Sequence, residues 1–280
     1  MTALISGHTR LIAHIGFPTE SFRAPMIYNP WFEECGADVI VTPMGCKPED
    51  FAQFMPLVAR LSNFAGALIT MPHKVPVVDL LDEAAPTVLA CGACNAVRRD
   101  SQGRLVGDMF DGEGFVRGMI RKGRVASSAS ALVVGAGGVG SAIAASLARA
   151  GVTRLGLFDT DAVRCGALAD RLRQHFPGCT VETGSKDPAG WEIVVNATPL
   201  GMNAGDPLPL DVDRIDPGSF VGEVVMKVEQ TPLLVAAAAK GCATQVGTDM
   251  LFEMIPAYLE FFGLPVATPE TLRRVARVRY

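Results

Sequence analysis

No apolar run in this 280-residue chain approaches the roughly twenty residues needed to cross a bilayer; the longest uncharged one near the end, Pro232 to Ala239, is far shorter. The N-terminus also lacks a basic segment leading into an apolar stretch with a cleavage site, so a cytoplasmic protein is expected. Basic clusters are missing as well. With a formal net charge of -4, neither nucleic acid nor an anionic membrane is the expected partner, and a small-molecule substrate is. The seven cysteines are an odd number spread over the whole length, which suits reduced thiols better than a disulfide framework. Cys91 and Cys94 form a C-x-x-C with no second pair and no histidine nearby, so they read as structural thiols rather than a zinc site. The four histidines are scattered without H-E-x-x-H spacing, and no metal is expected. Internal repeats and low-complexity segments are absent.

What the chain does have is 49% hydrophobic residues, enough to core one large or two ordinary domains. Its most informative stretch runs from Ala131 to Ala150. Ala131 to Val134 is a short apolar run typical of a buried parallel strand, and from Ser141 an alanine-rich segment favours helix. Between them Gly135, Gly137 and Gly140 fit G-x-G-x-x-G. The first glycine permits the tight turn, the second lets backbone approach a pyrophosphate, and the third lets helix and strand pack closely. Gly138 and Val139 complete the turn. A second strand, Arg154 to Phe158, ends on Asp159 at the distance where a carboxylate accepts hydrogen bonds from the adenosine ribose and repels a 2′-phosphate. NAD is therefore the preferred cofactor, with NADP left open by the nearby cation Arg164.

From Arg10 to about Arg99, apolar runs (Leu11 to Gly16, Asp38 to Thr42, Gly66 to Met71) alternate with helix-like stretches (Pro25 to Cys35, Pro48 to Leu61, Val75 to Leu81). Gly107 to Gly114 reads as a loop between domains, followed by a bridging helix up to about Lys122 and a polar linker to Ser130. Further strands are expected at Glu192 to Asn196 and Phe220 to Val225, then helices at Met250 to Phe262 and Pro269 to Val278. The expected fold is α/β: an N-terminal substrate-binding domain (1–106), a Rossmann dinucleotide-binding domain with its bridging helix (107–246), and C-terminal helices (247–280) returning to the first domain. A ligand cleft between the two domains follows from the rule that open α/β sheets bind beyond the carboxyl ends of their strands.

The remaining landmarks, in order, are Gly66-Ala-Leu-Ile-Thr-Met-Pro-His-Lys74, Cys91-Gly-Ala-Cys-Asn95, Gly107-Asp-Met-Phe-Asp111-Gly112, the glycine turn, Val195-Asn-Ala-Thr-Pro-Leu-Gly201-Met202, Thr231-Pro-Leu-Leu, and Gly247 with Met250-Leu251. From Gly16 to about Gly263 this series resembles the shikimate/quinate dehydrogenase family. The resemblance implies an NAD(P)-dependent oxidoreductase acting on the secondary alcohol of shikimate, quinate or a related alicyclic hydroxy acid, with a place in aromatic amino acid biosynthesis. A monomer or homodimer is expected. Lys74 and Asp111 fall at the family's catalytic pair, and Thr70 and Asn95 at its substrate contacts. Thr198 and Gly247 fall beside the cofactor. His73, next to Lys74, reads as a pocket wall or packing residue.

The match fails in one region. The two hydroxyl residues with which the family grips a substrate carboxylate, in a Ser-x-Ser-Pro motif, are replaced by Phe22 and Ala24, with Ser21 and Arg23 as neighbours able to contact substrate if the loop runs differently. Leu68 stands where the family has asparagine, Met226 where it has a substrate-contacting tyrosine, and Met254 where it has glutamine. Because a polar site deprived of a partner loses roughly 1–3 kcal/mol per group, shikimate itself is expected to bind weakly. A cofactor-binding sensor with little catalysis is the competing expectation.

Overall fold

The computed structural model describes residues 5–278, and its chain divides into two compact units. The first comprises residues up to Val88, Ala93–Phe110, and the tail from Ile255; the second comprises Leu89–Gly92 and Asp111–Met254.

In the first unit β1 (Arg10–Gly16), α1 (Pro25–Cys35), β2 (Val39–Gly45), α2 (Phe51–Ala59) and β3 (Phe64–Ile69) lay down three parallel strands with β1 between β2 and β3. The short elements β4 (Glu83–Ala84), α3 (Pro86–Cys91), β5 (Ala96–Arg99) and β6 (Leu105–Asp108) follow, giving the order β2-β1-β3-β5-β6-β4 with β5 antiparallel to both neighbours. β2 is an edge strand, which is why it tolerates Pro43. Ile12 and Ile15 of β1 are fully buried along with Ile27, Tyr28 and Phe32 of α1 and Phe51 and Met55 of α2.

The second unit opens with α4 (Asp111–Arg121), then runs β7 (Ser130–Val134), α5 (Gly138–Arg149), β8 (Arg154–Phe158), α6 (Ala162–His175), β9 (Thr180–Thr183), β10 (Ile193–Asn196), β11 (Phe220–Glu223), α7 (Pro232–Ala239) and β12 (Ala243–Gln245). All six strands are parallel in the order β12-β11-β10-β7-β8-β9. That is the doubly wound dinucleotide-binding order, with its reversal between β7 and β10. One face is cored by Leu132, Val194, Val221, Leu234 and Trp191. The chain ends with α8 (Gly247–Phe261) and α9 (Pro269–Val275). Among the described residues no helix is long and apolar enough to cross a membrane.

Three expectations need correction. Gly107 is not in a loop: it lies in β6, and a Cβ there would overlap Leu81 and meet Cys94 Sγ at 2.8 Å, so this glycine serves close packing rather than chain flexibility. The first unit's middle segment runs through Phe110, and the second unit resumes at Asp111. Val75 to Leu81 forms only a 3-10 turn, Pro76–Leu80. Finally, α8 begins at Gly247, and its first half belongs to the second unit, where Glu253 pairs with Arg121 at 2.7 Å and Asp249 with Lys122 at 3.1 Å. Only from Ile255 does the tail join the first unit. There Trp31 Nε1 donates to the Pro265 carbonyl at 2.9 Å and Arg274 pairs with Glu34.

Candidate active site

In the second unit the glycine turn sits at the exit of β7. Gly135 has φ +107°, and a Cβ there would meet the Ala197 carbonyl at 2.8 Å, so the exits of β7 and β10 touch at the point where strand order reverses. Gly140 is under tighter constraint, because a Cβ would overlap the Gly135 carbonyl. Gly137 is different: nothing lies within 4 Å of its Cβ position, and as N-cap of α5 it leaves that twelve-residue helix without a side-chain cap. Gly138 and Val139 form the first turn. Open space in front of uncapped helical N–H groups fits a pyrophosphate, as a dinucleotide site requires.

Asp159, half-buried at the end of β8, accepts from Ala136 N of the turn at 2.6 Å through Oδ2 and from Asp161 N at 2.9 Å through Oδ1. Its carboxylate is thus fixed at the rim of the turn. Arg164 pairs with Asp161 at 3.2 Å. Thr198 is committed locally: its hydroxyl donates to Asn196 Oδ1 at 2.6 Å and accepts from Leu200 N at 3.1 Å, shaping the turn after β10. Gly247 is buried with its Cα against the Val224–Val225 backbone, a close approach that by itself demands glycine. Met226 follows β11 half-buried, and half-buried Met254 packs over Gly114 of α4. Asp111, the first residue of α4, is 2% exposed.

The first unit gathers a second constellation at the carboxyl ends of β1 and β3. Gly16 ends β1 where a Cβ would overlap the Thr70 methyl and reach the Phe22 ring at 2.9 Å, so Thr70 and Phe22 meet over it. Phe22 and Ala24 are buried, Arg23 is half-buried and Ser21 is exposed. Half-buried Lys74 lies five residues beyond β3, and its carbonyl accepts from Cys94 N at 2.7 Å, tying it to the segment that leads into β5. That segment carries Asn95, fully buried, whose Oδ1 accepts from Phe110 N at 3.0 Å while its Nδ2 has no partner. A buried amide donor without an acceptor is costly unless a ligand completes it. His73 is buried in the packing, stacked on Phe51 with 4.0 Å between centroids and bonded through Nε2 to the Cys46 carbonyl at 2.7 Å.

Two groups escaped sequence reasoning. His14 lies inside the apolar run of β1, stacked on Phe22 with 4.0 Å between centroids, and its Nδ1 is buried without a partner. Burial first, and the Lys74 charge second, push its pKa down to about 3, so the ring is neutral. Glu223, fully buried at the end of β11, accepts from the Thr231 hydroxyl at 2.9 Å, and burial raises its pKa to about 7. The only sequence signal for either was a titratable residue interrupting an apolar strand.

The fold and these two constellations define a dinucleotide-binding α/β protein that carries a separate polar site on the sheet of its first unit. The family model described as shikimate dehydrogenase substrate binding domain matches residues 15–97, and the ThiF family model matches residues 120–183, the stretch that includes β7 to β9. A shikimate dehydrogenase (NADP(+)) of Acidiphilium cryptum is 36% identical over 98% of both chains. A quinate/shikimate dehydrogenase (NAD(+)) of Corynebacterium efficiens is 38% identical over 74% of this chain and 75% of that one. Among solved structures, quinate dehydrogenase from Corynebacterium glutamicum in complex with NAD superposes with a TM-score of 0.85 at 32% identity, covering 95% of this chain and 98% of that one. The chain belongs to the shikimate/quinate dehydrogenase family. It is an NAD(P)-dependent oxidoreductase of that type, acting on CH–OH.

Proposed function

We propose that the protein oxidises or reduces a secondary alcohol on a hydroxylated alicyclic compound related to shikimate and quinate, with Lys74 and Asp111 as its catalytic pair and NAD as its preferred cofactor. The observation that carries the substrate side is the buried, unpartnered Nδ2 of Asn95, held on the segment that binds the Lys74 backbone. Bound nicotinamide supplies the hydride acceptor, or donor in reverse. As the carbinol hydrogen leaves with its electron pair, Lys74 in its amine form takes the hydroxyl proton, and in the reverse direction it returns that proton to the alkoxide. Asn95 and Thr70 orient the ring, and Asp111 acts with Lys74 at the reacting oxygen. Gly135, Gly137, Gly138, Val139 and Gly140 form the pyrophosphate cradle.

The NAD preference is supported by the fixed Asp159 carboxylate, which repels a 2′-phosphate, and by the pairing of the neighbouring cation Arg164 with Asp161. Replacement of the family's carboxylate-gripping hydroxyls by Phe22 and Ala24 supports a substrate other than shikimate itself, with Arg23 and Ser21 at the rim, and Met226 and Met254 as apolar contacts. The protein acts in the cytoplasm as a monomer or homodimer. The decisive experiment is Lys74→Ala. Turnover is expected to fall roughly 100-fold to 10,000-fold, the usual contribution of a positioned acid/base, with cofactor affinity by calorimetry unchanged. Near wild-type turnover removes Lys74 from the reaction.

A further inference from the structure

The polar groups that the substrate end of the first unit has lost are replaced by something else: the edge of an imidazole. In the sheet register His14 lies opposite Leu68, which lies opposite Ala96, so His14 shares a row with the residue standing at the family's asparagine and with the neighbour of Asn95. Phe22, at the place of a family serine, covers the face of the ring, with 28° between the planes. Stacking of this kind leaves only the ring edge for hydrogen bonding. His14 is 8% exposed, and its Nδ1, like Asn95 Nδ2, is a buried polar atom with no protein partner. Both atoms lie near the carboxyl ends of β1 and β3, and the Lys74 charge acts on His14; a buried polar atom without a partner marks a place for a ligand group rather than ordinary packing.

The chemistry of the site selects its ligand. A carboxylate needs two donors or a cation dedicated to it, which the missing hydroxyl pair once supplied. An uncharged imidazole offers one donor or one acceptor per nitrogen, which suits a hydroxyl in either tautomer and a carbonyl in one. We propose that His14 is a specificity-determining substrate contact that hydrogen-bonds an uncharged hydroxyl or carbonyl group, so that the preferred substrate carries no carboxylate at the position served by Phe22 and His14. This rests on the oxidoreductase reading above and names its substrate class.

The test compares shikimate with its methyl ester, the same ring without the charge, on the full-length chain. Steady-state kinetics with NAD and NADP are paired with calorimetric titration of each compound. Wild type is expected to favour the ester in kcat/KM. His14→Leu is expected to lower the ester's kcat/KM roughly 5-fold to 150-fold, mainly through KM, as a lost hydrogen bond does, and His14→Asn is expected to restore part of it. His14→Leu removes no internal hydrogen bond of Nδ1, and unchanged circular dichroism and melting separate this effect from misfolding. Preference for shikimate, or ester kinetics indifferent to His14→Leu, overturns the proposal. If neither compound turns over, the oxidoreductase reading of this substrate class fails while the titration still decides: ester binding weakened by His14→Leu supports the His14 contact, and ester binding that is absent or unchanged overturns it.

Discussion

Buried in opposite halves of the chain, His14 and Glu223 shift their titration in opposite directions for one reason: each avoids being charged away from water. The consequences for stability have opposite signs. His14 has a folded pKa of about 3 against 6.5 unfolded, so between those values the unfolded chain binds the extra proton and stability falls as pH drops from 6.5 towards 3. Glu223 has a folded pKa of about 7 against 4.5, so the folded chain holds the extra proton and stability falls as pH rises from 4.5 through 7. Urea unfolding across pH 4.5 to 8 is expected to show Glu223→Gln gaining on wild type as pH rises, and His14→Leu gaining on it as pH falls towards 4.5. Parallel profiles for variant and wild type contradict these assignments. Asp159 is a residue of another kind, because its half-buried carboxylate is held by Ala136 N at the rim of the glycine turn rather than inside the core. Asp159→Ser is expected to lower the kcat/KM ratio of NAD to NADP about 10-fold or more, and an unchanged ratio transfers ribose recognition to another residue.

The strand-turn-helix unit β7-α5 separates two uses of glycine that a motif alone merges. Gly140 has the Gly135 carbonyl where a side chain would go, whereas Gly137 faces open space. Gly140→Val is therefore expected to destabilise the protein by about 1–3 kcal/mol or more through overpacking, and to lose cofactor binding with it. Gly137→Val is expected to keep the wild-type melting temperature and still lose NAD affinity, because only the pyrophosphate's approach is blocked. Melting curves with calorimetric NAD titration distinguish the two; equal losses of stability in both variants refute the division. The turn was legible in the sequence because its spacing encodes local geometry. The hydrogen bonds of its neighbour Thr198 were not, since only the fold reveals that this hydroxyl is committed to Asn196 and Leu200.

The C-terminal segment belongs to the first unit from Ile255 onward, and its residues hold that unit's α1. Ending the chain after Gly263 removes Leu264 and Leu272, 7% and 0% exposed, the carbonyl that Trp31 bonds, and the Arg274–Glu34 pair. Two buried leucines alone are worth about 3–6 kcal/mol at about 1.5–3 each, so scanning calorimetry is expected to show the first unit melting earlier, while NAD binding by the second unit persists. An unshifted melt refutes this assignment.

The strands β1 to β3 with α1 and α2, the run β7-α5-β8, the strands β10 and β11, and the motif series around Lys74, Asn95, Asp111 and Gly135 were readable from the chain alone, because each depends on neighbours a few residues away; the short strands β4, β5, β6, β9 and β12 were not. Gly107, read as loop, lies in a strand paired with Val97 and Ala84 and packed against Leu81 and Cys94, and no local pattern announces those contacts. The same holds for His14 Nδ1 and Asn95 Nδ2, buried without partners where Phe22 stacks on the one residue and Phe110 N bonds the other's oxygen. Periodicity records which face of an element is apolar; whether a buried polar atom is satisfied depends on residues distant in sequence, and folding alone brings those together.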